Sequence, residues 1–368
     1  MTALQGRILT PDGWHDGKIE FGTSIESIKY GSLPQYSRYI VPGFIDVHVH
    51  GGGGFDTMDG VPGIRGMSAF HAKHGTTGLL ATTITNPWNN VVTALENAKQ
   101  VMLEPSPGAQ VLGVHLEGPF VSPFRLGAQP NFVVEPTLER VQEVLAFEVI
   151  RVVTIAPEQP KAPEACELFA RAGVRVSFGH TVASSDQVES AIRIVDEAGG
   201  FSSGTHLFNA MGGLEGRNPG IVGAILANPN VWAELILDGH HVHFSSFKAA
   251  LNAKPDRLML ITDAMRAAGM PDGAYDLGGQ VASVAQGTAR LENGSLAGSV
   301  LTMDQAIRNA VHAGLNLETA IDLASSHPAR YLGFSNKGKL LPGCDADIVV
   351  LDDRLEVQAV FVAGIQVS

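Results

Sequence analysis

Cysteine is nearly absent: Cys166 and Cys344 are the only two in 368 residues, far apart and without CxxC spacing. That excludes a thiolate metal site or a disulfide framework and points to two reduced, buried thiols. Positive charge is in deficit, with 25 Lys and Arg against 37 Asp and Glu and a formal net charge of -12. The chain therefore lacks the basic surface that nucleic-acid binding needs, although a local phosphate site stays open. No apolar run approaches the roughly 18 residues of a membrane span, and the N-terminal MTALQGRILTPDG has no basic-then-apolar targeting pattern. A soluble, cytoplasmic protein with neither nucleic acid nor membrane as partner is the expectation.

Glycine, by contrast, is abundant at 42 residues, and 45% of the chain is hydrophobic. This composition suits a large buried core joined by many tight turns. The length fits an α/β barrel, which with insertions occupies roughly 200 to 400 residues as one unit, plus a small appendage.

The first forty residues carry short alternating segments, Gly6–Leu9, Lys18–Phe21 and Ile25–Tyr30, separated by Pro, Asp and Gly turns, and Asp347–Ser368 has the same texture. Because chain ends often lie close together, these segments predict a small β-sandwich built from both termini, residues 1–40 plus 340–368. Between them, over 41–339, apolar β-runs alternate with helical stretches, which implies a parallel sheet with right-handed crossovers. The candidate strands are Gly43–Val49, Thr77–Thr83, Val111–Leu116, Ile150–Ile155, Val174–Phe178, the weakly apolar Gly200–Thr205, Ala233–Leu237 and Leu258–Ile261. Eight such strands predict an α/β fold of the (β/α)8 TIM-like barrel type.

Barrel enzymes keep their active sites at the C-terminal ends of the strands, and polar residues recur there. PGFIDVHVHGGGGFD ends the first strand with His48 and His50 on one face, followed by four glycines that let the backbone pass close to a bound group. The third strand ends in His115 and Glu117, the fifth in His180, the sixth in His206, the seventh in Asp238, His240, His241 and His243, and the eighth in Asp263. A lone strand-end histidine is more often a hydrogen-bonded structural residue than a ligand. Here His48, His50, Glu117, His180, His206 and Asp263 take the same relative place on five strands, which makes chance the weaker account. Nitrogen and oxygen donors without thiolate suit Zn²⁺, and also Fe²⁺, Mn²⁺ or Co²⁺, in an open catalytic site. A divalent metal lowers the pKa of bound water to about 7. Asp263 would take a proton from that water and hand it to a leaving group; the plainer alternative is a carboxylate that orients a histidine. His71 and His74 fall near a helix C-terminus, where imidazoles satisfy carbonyls, and His115, one pleat deeper than Glu117, reads as a core residue.

PGFIDVHVHG, HLEGPF, FGHT, THLFNAM followed by Arg217 and GIVGAI, DGHHV, LITDAM and the LAGS of Leu296–Ser299 together resemble the N-acetylglucosamine-6-phosphate deacetylases of the amidohydrolase superfamily. The resemblance covers almost the whole chain. It implies a homodimer that hydrolyses the acetamide of an amino-sugar phosphate to acetate and the free amine. It also implies that Glu117, His180 and His206 are the main metal ligands, with His48 and His50 leaving room for a second ion and Glu117 as the bridge. Asp263 then stands as the catalytic acid and base. Asn209, Ala210 and Arg217 stand at substrate and phosphate contacts, and Leu296, Ala297 and Gly298 at a lining segment. His241 matches a phosphate contact that in the family comes from the neighbouring subunit. One departure stands out: where the family reads GAH or GTH, with a histidine that polarises the substrate carbonyl, this chain reads Gly127-Ala128-Gln129. The amide of Gln129 donates a hydrogen bond but is neutral at every relevant pH. That leaves open N-acetylgalactosamine-6-phosphate or another N-acyl amino sugar as substrate, and beyond that a catalytically silent binding protein.

Overall fold

The computed structural model describes residues 1–32, 38–104 and 107–368. Both chain ends build one seven-stranded sheet in the order Ile365–Gln366, Val357–Val362, Ile348–Leu351, Tyr39–Pro42, Thr2–Thr10, Gly13–Phe21 and Ile25–Tyr30. Alternation in its central strands serves two cores, because successive side chains leave a strand on opposite faces. Ile8, Ile40, Ile348 and Val350 pack into a separate cluster with Ile19, Phe21, Ile25 and Phe361, whereas Leu9, Val41, Val349, Leu351 and Val360 join the large core of the barrel. At roughly 1.5 to 3 kcal/mol for each fully buried aliphatic side chain, that second set fastens the sheet firmly to the barrel.

The barrel strands are Phe44–Val49, Thr76–Thr82, Gln110–Glu117, Ile150–Ile155, Arg175–Phe178, Ser202–Gly204, Trp232–Ile236 and Leu258–Ile261, parallel and hydrogen-bonded in chain order. These are the eight that the sequence predicts, with no end moved by more than two residues and Ile150–Ile155 and Leu258–Ile261 unchanged. The weakly apolar sixth shrinks to Ser202–Gly204. Helices fill the connections. Ser185–Glu197, for example, starts at a capping box formed by Ser184 and Gln187 and buries Val188, Ala191, Ile192 and Val195, a spacing that puts one apolar stripe on the barrel.

Closure between the eighth strand and the first fixes the site. The N–H of Asp263 donates to the carbonyl of His48 at 2.9 Å, and Val49 and Ala264 form an isolated parallel bridge. Asp46 braces this seam from inside. Its carboxylate accepts the Thr262 hydroxyl at 2.5 Å and the backbone N–H groups of His48 at 3.2 Å and Thr262 at 3.4 Å. Burial pushes the Asp46 carboxyl up to about 7.

Between the eighth strand and helix Met303–His312 a three-stranded antiparallel sheet is inserted, Gly273–Leu277, Gln280–Ala285 and Thr288–Arg290. It has a small core of its own, in which Leu277, Ala282, Val284 and Ala289 meet Ile84, Met265 and Ala297. Among the described residues no helix is long and apolar enough to cross a membrane. Cys166 and Cys344 are free and buried.

The glycine run after the first strand serves packing rather than a ligand. A Cβ on Gly52 would lie 2.5 Å from Phe70 Cδ1 and 2.7 Å from His71 Nε2, so it is helix Gly60–Ala72 that approaches the backbone. His71 does not cap that helix as its position suggests: its Nε2 lies 2.9 Å from the Gly51 carbonyl. Burial pushes its imidazole down to about 4. Unfolded, it would titrate near 6.5, so below that pH the unfolded chain takes up a proton that the folded one resists. Stability from this residue is complete above about pH 6.5 and is lost as pH falls toward 4, by up to about 3 kcal/mol. A thermal midpoint that declines across this window in the wild type, and less steeply in His71→Gln, is the expected result.

Candidate active site

The C-terminal strand ends converge on a cavity of about 320 Å³, within the range of small-molecule sites. Of the residues singled out from sequence, His50, Glu117, Ala128, Gln129, His180, His206, Asn209, Ala210, His241, Asp263, Leu296 and Gly298 line it, together with Ile84, Phe208, Leu277 and Ser295. His48 lies directly behind, fully buried, with Nε2 3.5 Å from both Glu117 Oε1 and Asp263 Oδ1.

Two groups of potential ligands meet at Glu117. Its Oε1 is 3.1 Å from Nε2 of both His180 and His206, and those two nitrogens are 3.0 Å apart. Its Oε2 is 3.1 Å from His50 Nε2, which lies 3.3 Å from His48 Nε2 and 3.2 Å from Asp263 Oδ1. The far side of two rings fixes their tautomers. His180 Nδ1 lies 3.0 Å from the Arg125 carbonyl, which only accepts, and His48 Nδ1 lies 2.9 Å from the carboxylate of Glu234. When neutral, both rings therefore turn an Nε2 lone pair toward the cluster.

Charge balance is unusual. Glu117, Glu234 and Asp263 are 1%, 0% and 8% exposed, and their ion pairs are all to histidine. Burial, the largest influence on His50, works against its charge, but hydrogen bonds to Asp263 and Glu117 outweigh it and lift the imidazole to about 9. His48 is raised for the same reason, with burial opposed by the Glu117 and Asp263 charges. Glu117 and Asp263 are in turn held below their usual range, again against burial, by the imidazoles facing them. Protons on imidazoles thus compensate the carboxylates. A divalent cation between pairs of converging Nε2 atoms would do so better, and the donor set fits one: nitrogen and oxygen only, in two groups that share Glu117.

The backbone is bent to make this arrangement. His180, His206 and Asp263 have φ of 48°, 32° and 49°, and Phe208 and Ala210 beside them 81° and 48°. Non-glycine residues in this left-handed region cost of order 1–3 kcal/mol each, and here they gather at the cavity.

On the other wall, Gln129 is held at both ends: its Oε1 accepts the N–H of Thr85 at 2.7 Å and its Nε2 donates to Glu117 Oε2 at 2.6 Å. Asn209 Nδ2 donates to the carbonyls of His206 and Leu207 at 3.1 and 3.3 Å, which steadies the turn after the sixth strand. The three histidines after the seventh strand, which spacing alone does not separate, have distinct places. His241 faces the cavity, with Nδ1 2.7 Å from Asp238 Oδ2. His240 is exposed, and His243 caps helix Phe244–Ala253 through Ser245 N–H. His115 is a core residue, its Nδ1 3.0 Å from the Val47 carbonyl and its Nε2 2.7 Å from the Thr154 hydroxyl, and burial pushes it down to about 4.

Two expectations shift. Arg217 is exposed on its loop and does not line the cavity. Ala297 turns its side chain into the core of the inserted sheet, while its neighbours Leu296 and Gly298 line the cavity. His241 lines the cavity of its own chain, where Asp238 holds both its ring and its backbone N–H. Asp46 and Glu234 carry no signal in the sequence beyond being acidic residues inside apolar strands.

A model of the amidohydrolase family matches residues 39–367. The chain is 40% identical to the N-acetylglucosamine-6-phosphate deacetylase of Lysinibacillus sphaericus, over 98% of this chain and 94% of that one. It is 39% identical to the N-acetylgalactosamine-6-phosphate deacetylase of Escherichia coli O157:H7, over 97% of each. The solved N-acetyl-D-glucosamine-6-phosphate deacetylase of Mycobacterium smegmatis superposes with a TM-score of 0.91 at 36% identity, covering 100% of both chains. Fold, site geometry and these likenesses agree: the chain belongs to the amidohydrolase family, in its N-acetylglucosamine-6-phosphate deacetylase branch.

Proposed function

We propose that this protein is a metal-dependent deacetylase that hydrolyses the acetamide of N-acetylglucosamine-6-phosphate to glucosamine-6-phosphate and acetate. The observation that carries this reading is the meeting of two imidazole pairs and Asp263 around the single carboxylate of Glu117 at one end of the cavity. Glu117, His180 and His206 would hold one ion, and His48, His50 and Asp263, with Glu117 as bridge, a second. Zn²⁺ suits these donors, as do Fe²⁺, Mn²⁺ and Co²⁺. A bound cation supplies Lewis-acid polarisation and a water of lowered pKa.

Asp263, 3.2 Å from His50, takes a proton from the attacking water as its oxygen bonds to the acetamide carbon. It returns that proton to the amine nitrogen as the carbon–nitrogen bond breaks, which releases acetate and the amino sugar. Gln129 offers its second amide hydrogen to the carbonyl oxygen from an orientation that Thr85 and Glu117 fix. Removing such a donor costs about 10²-fold or more in kcat, so Gln129→Ala is expected to lose that much in acetate-release assays, with a smaller loss in Gln129→His.

His241, steadied by Asp238, would bind the phosphate. Arg217 stands outside its own cavity, and a homodimer would let its loop complete the phosphate site of a second subunit. Asp263→Asn and Arg217→Ala, each strongly impaired alone, should then recover to about a quarter of wild-type activity when dissociated and reassociated together, because half of the dimers are mixed and each holds one intact site. No recovery would place Arg217 on its own chain's site or outside the chemistry. Unphosphorylated N-acetylglucosamine should turn over with kcat/KM lower by about 10 to 100-fold, the worth of charged hydrogen bonds.

A second reading, N-acetylgalactosamine-6-phosphate as the preferred substrate, is favoured by Gln129 and by the 39% identity to a deacetylase of that name. Comparing kcat/KM on the two epimers decides between them. A cytoplasmic location, a small domain of residues 1–40 plus 340–368 and a barrel domain of 41–339 complete the proposal.

A further inference from the structure

We infer that Glu234 is the positioning residue that lets the His48, His50 and Asp263 group hold a second divalent cation. The inference rests on the metal-dependent reading above. Glu234 sits inside the seventh barrel strand, fully buried, and among the described residues pairs with no Lys or Arg. Its Oε2 lies 2.9 Å from His48 Nδ1 and accepts the backbone N–H of His206 at 3.2 Å, so one oxygen touches a member of each imidazole pair. Its Oε1 has no hydrogen-bond partner among the described residues. The nearest candidate, His115 Nδ1 at 4.0 Å, gives its proton to the Val47 carbonyl at 3.0 Å. His48, Glu234 and His115 are therefore no third cation site, since both nitrogens of His115 are engaged.

A buried carboxylate with one bare oxygen is costly, and an apolar residue would fill the strand without that cost. What offsets it is positive charge beyond His48. Of the four imidazoles aimed at Glu117, only His48 backs onto a carboxylate. His180 backs onto a carbonyl, and Nδ1 of His50 and of His206 has no partner among the described residues. A carboxylate behind an imidazole fixes its tautomer and strengthens its other nitrogen as a donor, and removing such a partner typically costs 10 to 100-fold in metal affinity. Glu234 therefore acts on the His48 side. On the His206 side it meets only a backbone N–H, which a neutral amide would serve equally well.

The test counts ions rather than turnover. Full-length protein is stripped with a chelator and equilibrated by dialysis against buffered free Zn²⁺. Bound zinc is measured by mass spectrometry, and the thermal midpoint of the stripped form is recorded alongside. The expected result is two ions for the wild type and one for Glu234→Ala, as for His48→Ala. Glu234→Gln keeps the shape and an acceptor, and should bind two ions with the second weakened about 10 to 100-fold. The first ion and the stripped midpoint should be unchanged in Glu234→Gln. Two ions at wild-type affinity in both variants, or a single ion in the wild type, would overturn the inference. So would equal weakening of both ions with a lowered stripped midpoint, the mark of a merely structural strut. No zinc in the wild type would overturn the metal-dependent reading as well. Should Glu234→Ala fail to fold, Glu234→Gln decides alone.

Discussion

Asp263→Asn lowers kcat for acetate release by about 10² to 10⁴-fold, the range for a lost general base and acid, with little change in KM. Asparagine has the same shape and keeps an acceptor for His50, so the pocket is preserved while the proton carrier is gone. The carboxyl suits the task electrostatically. Burial, the largest influence, pushes it up, but the His48 charge and the His50 hydrogen bond hold it below the ordinary range, so it is ionised at neutral pH and able to accept a proton. Its placement comes from backbone: the N–H of Asp263 is tied to the carbonyl of His48 across the barrel seam, and φ at 49° turns its side chain to the cavity. A variant with a raised KM and unchanged kcat would instead make Asp263 a binding residue.

Chelation is expected to abolish activity and to lower the thermal midpoint together. A ligand at 1,000 times its dissociation constant adds about 4 kcal/mol to stability, which is a shift of several degrees for a domain of this size. Glu117→Gln should remove both effects at once, because Oε1 of Glu117 faces His180 and His206 and lies 3.5 Å from His48, while Oε2 faces His50. Its midpoint should be the same with and without metal, and its activity below about one thousandth of the wild type. His48→Ala, which touches only one group, should keep part of the metal-dependent stabilisation. Metal-independent stability with full activity after chelation would contradict the role given to both groups.

How much of this is legible in sequence depends on distance along the chain and on side-chain direction. His48, His50, Glu117, His180, His206 and Asp263 could be gathered without coordinates because a parallel barrel brings every strand's C-terminal end to one rim. Glu234 could not: its partner His48 is 186 positions away, and a glutamate in WAELIL gives no hint of which pleat faces inward. The inserted sheet Gly273–Arg290 hides because its strands are short, exposed on alternate positions and broken by Gly278-Gly279 and Gln286-Gly287 turns. The four glycines signal close approach, but whether a ligand or a helix approaches is settled only by tertiary packing against Phe70 and His71. Ala297 shows the same limit at the scale of one residue. Likeness of a segment says that it passes the cavity, and only alternation in three dimensions says which of its side chains enter.

The central claim is that the cluster around Glu117 cleaves the acetamide of an amino-sugar phosphate. Acetate released by the purified, metal-loaded protein from N-acetylglucosamine-6-phosphate, with N-acetylgalactosamine-6-phosphate measured alongside, tests it most directly. Acetate and free amine are expected in equal amounts from at least one epimer, lost on chelation and regained with added metal. No acetate from either sugar phosphate, by protein shown to carry its metal, would contradict it.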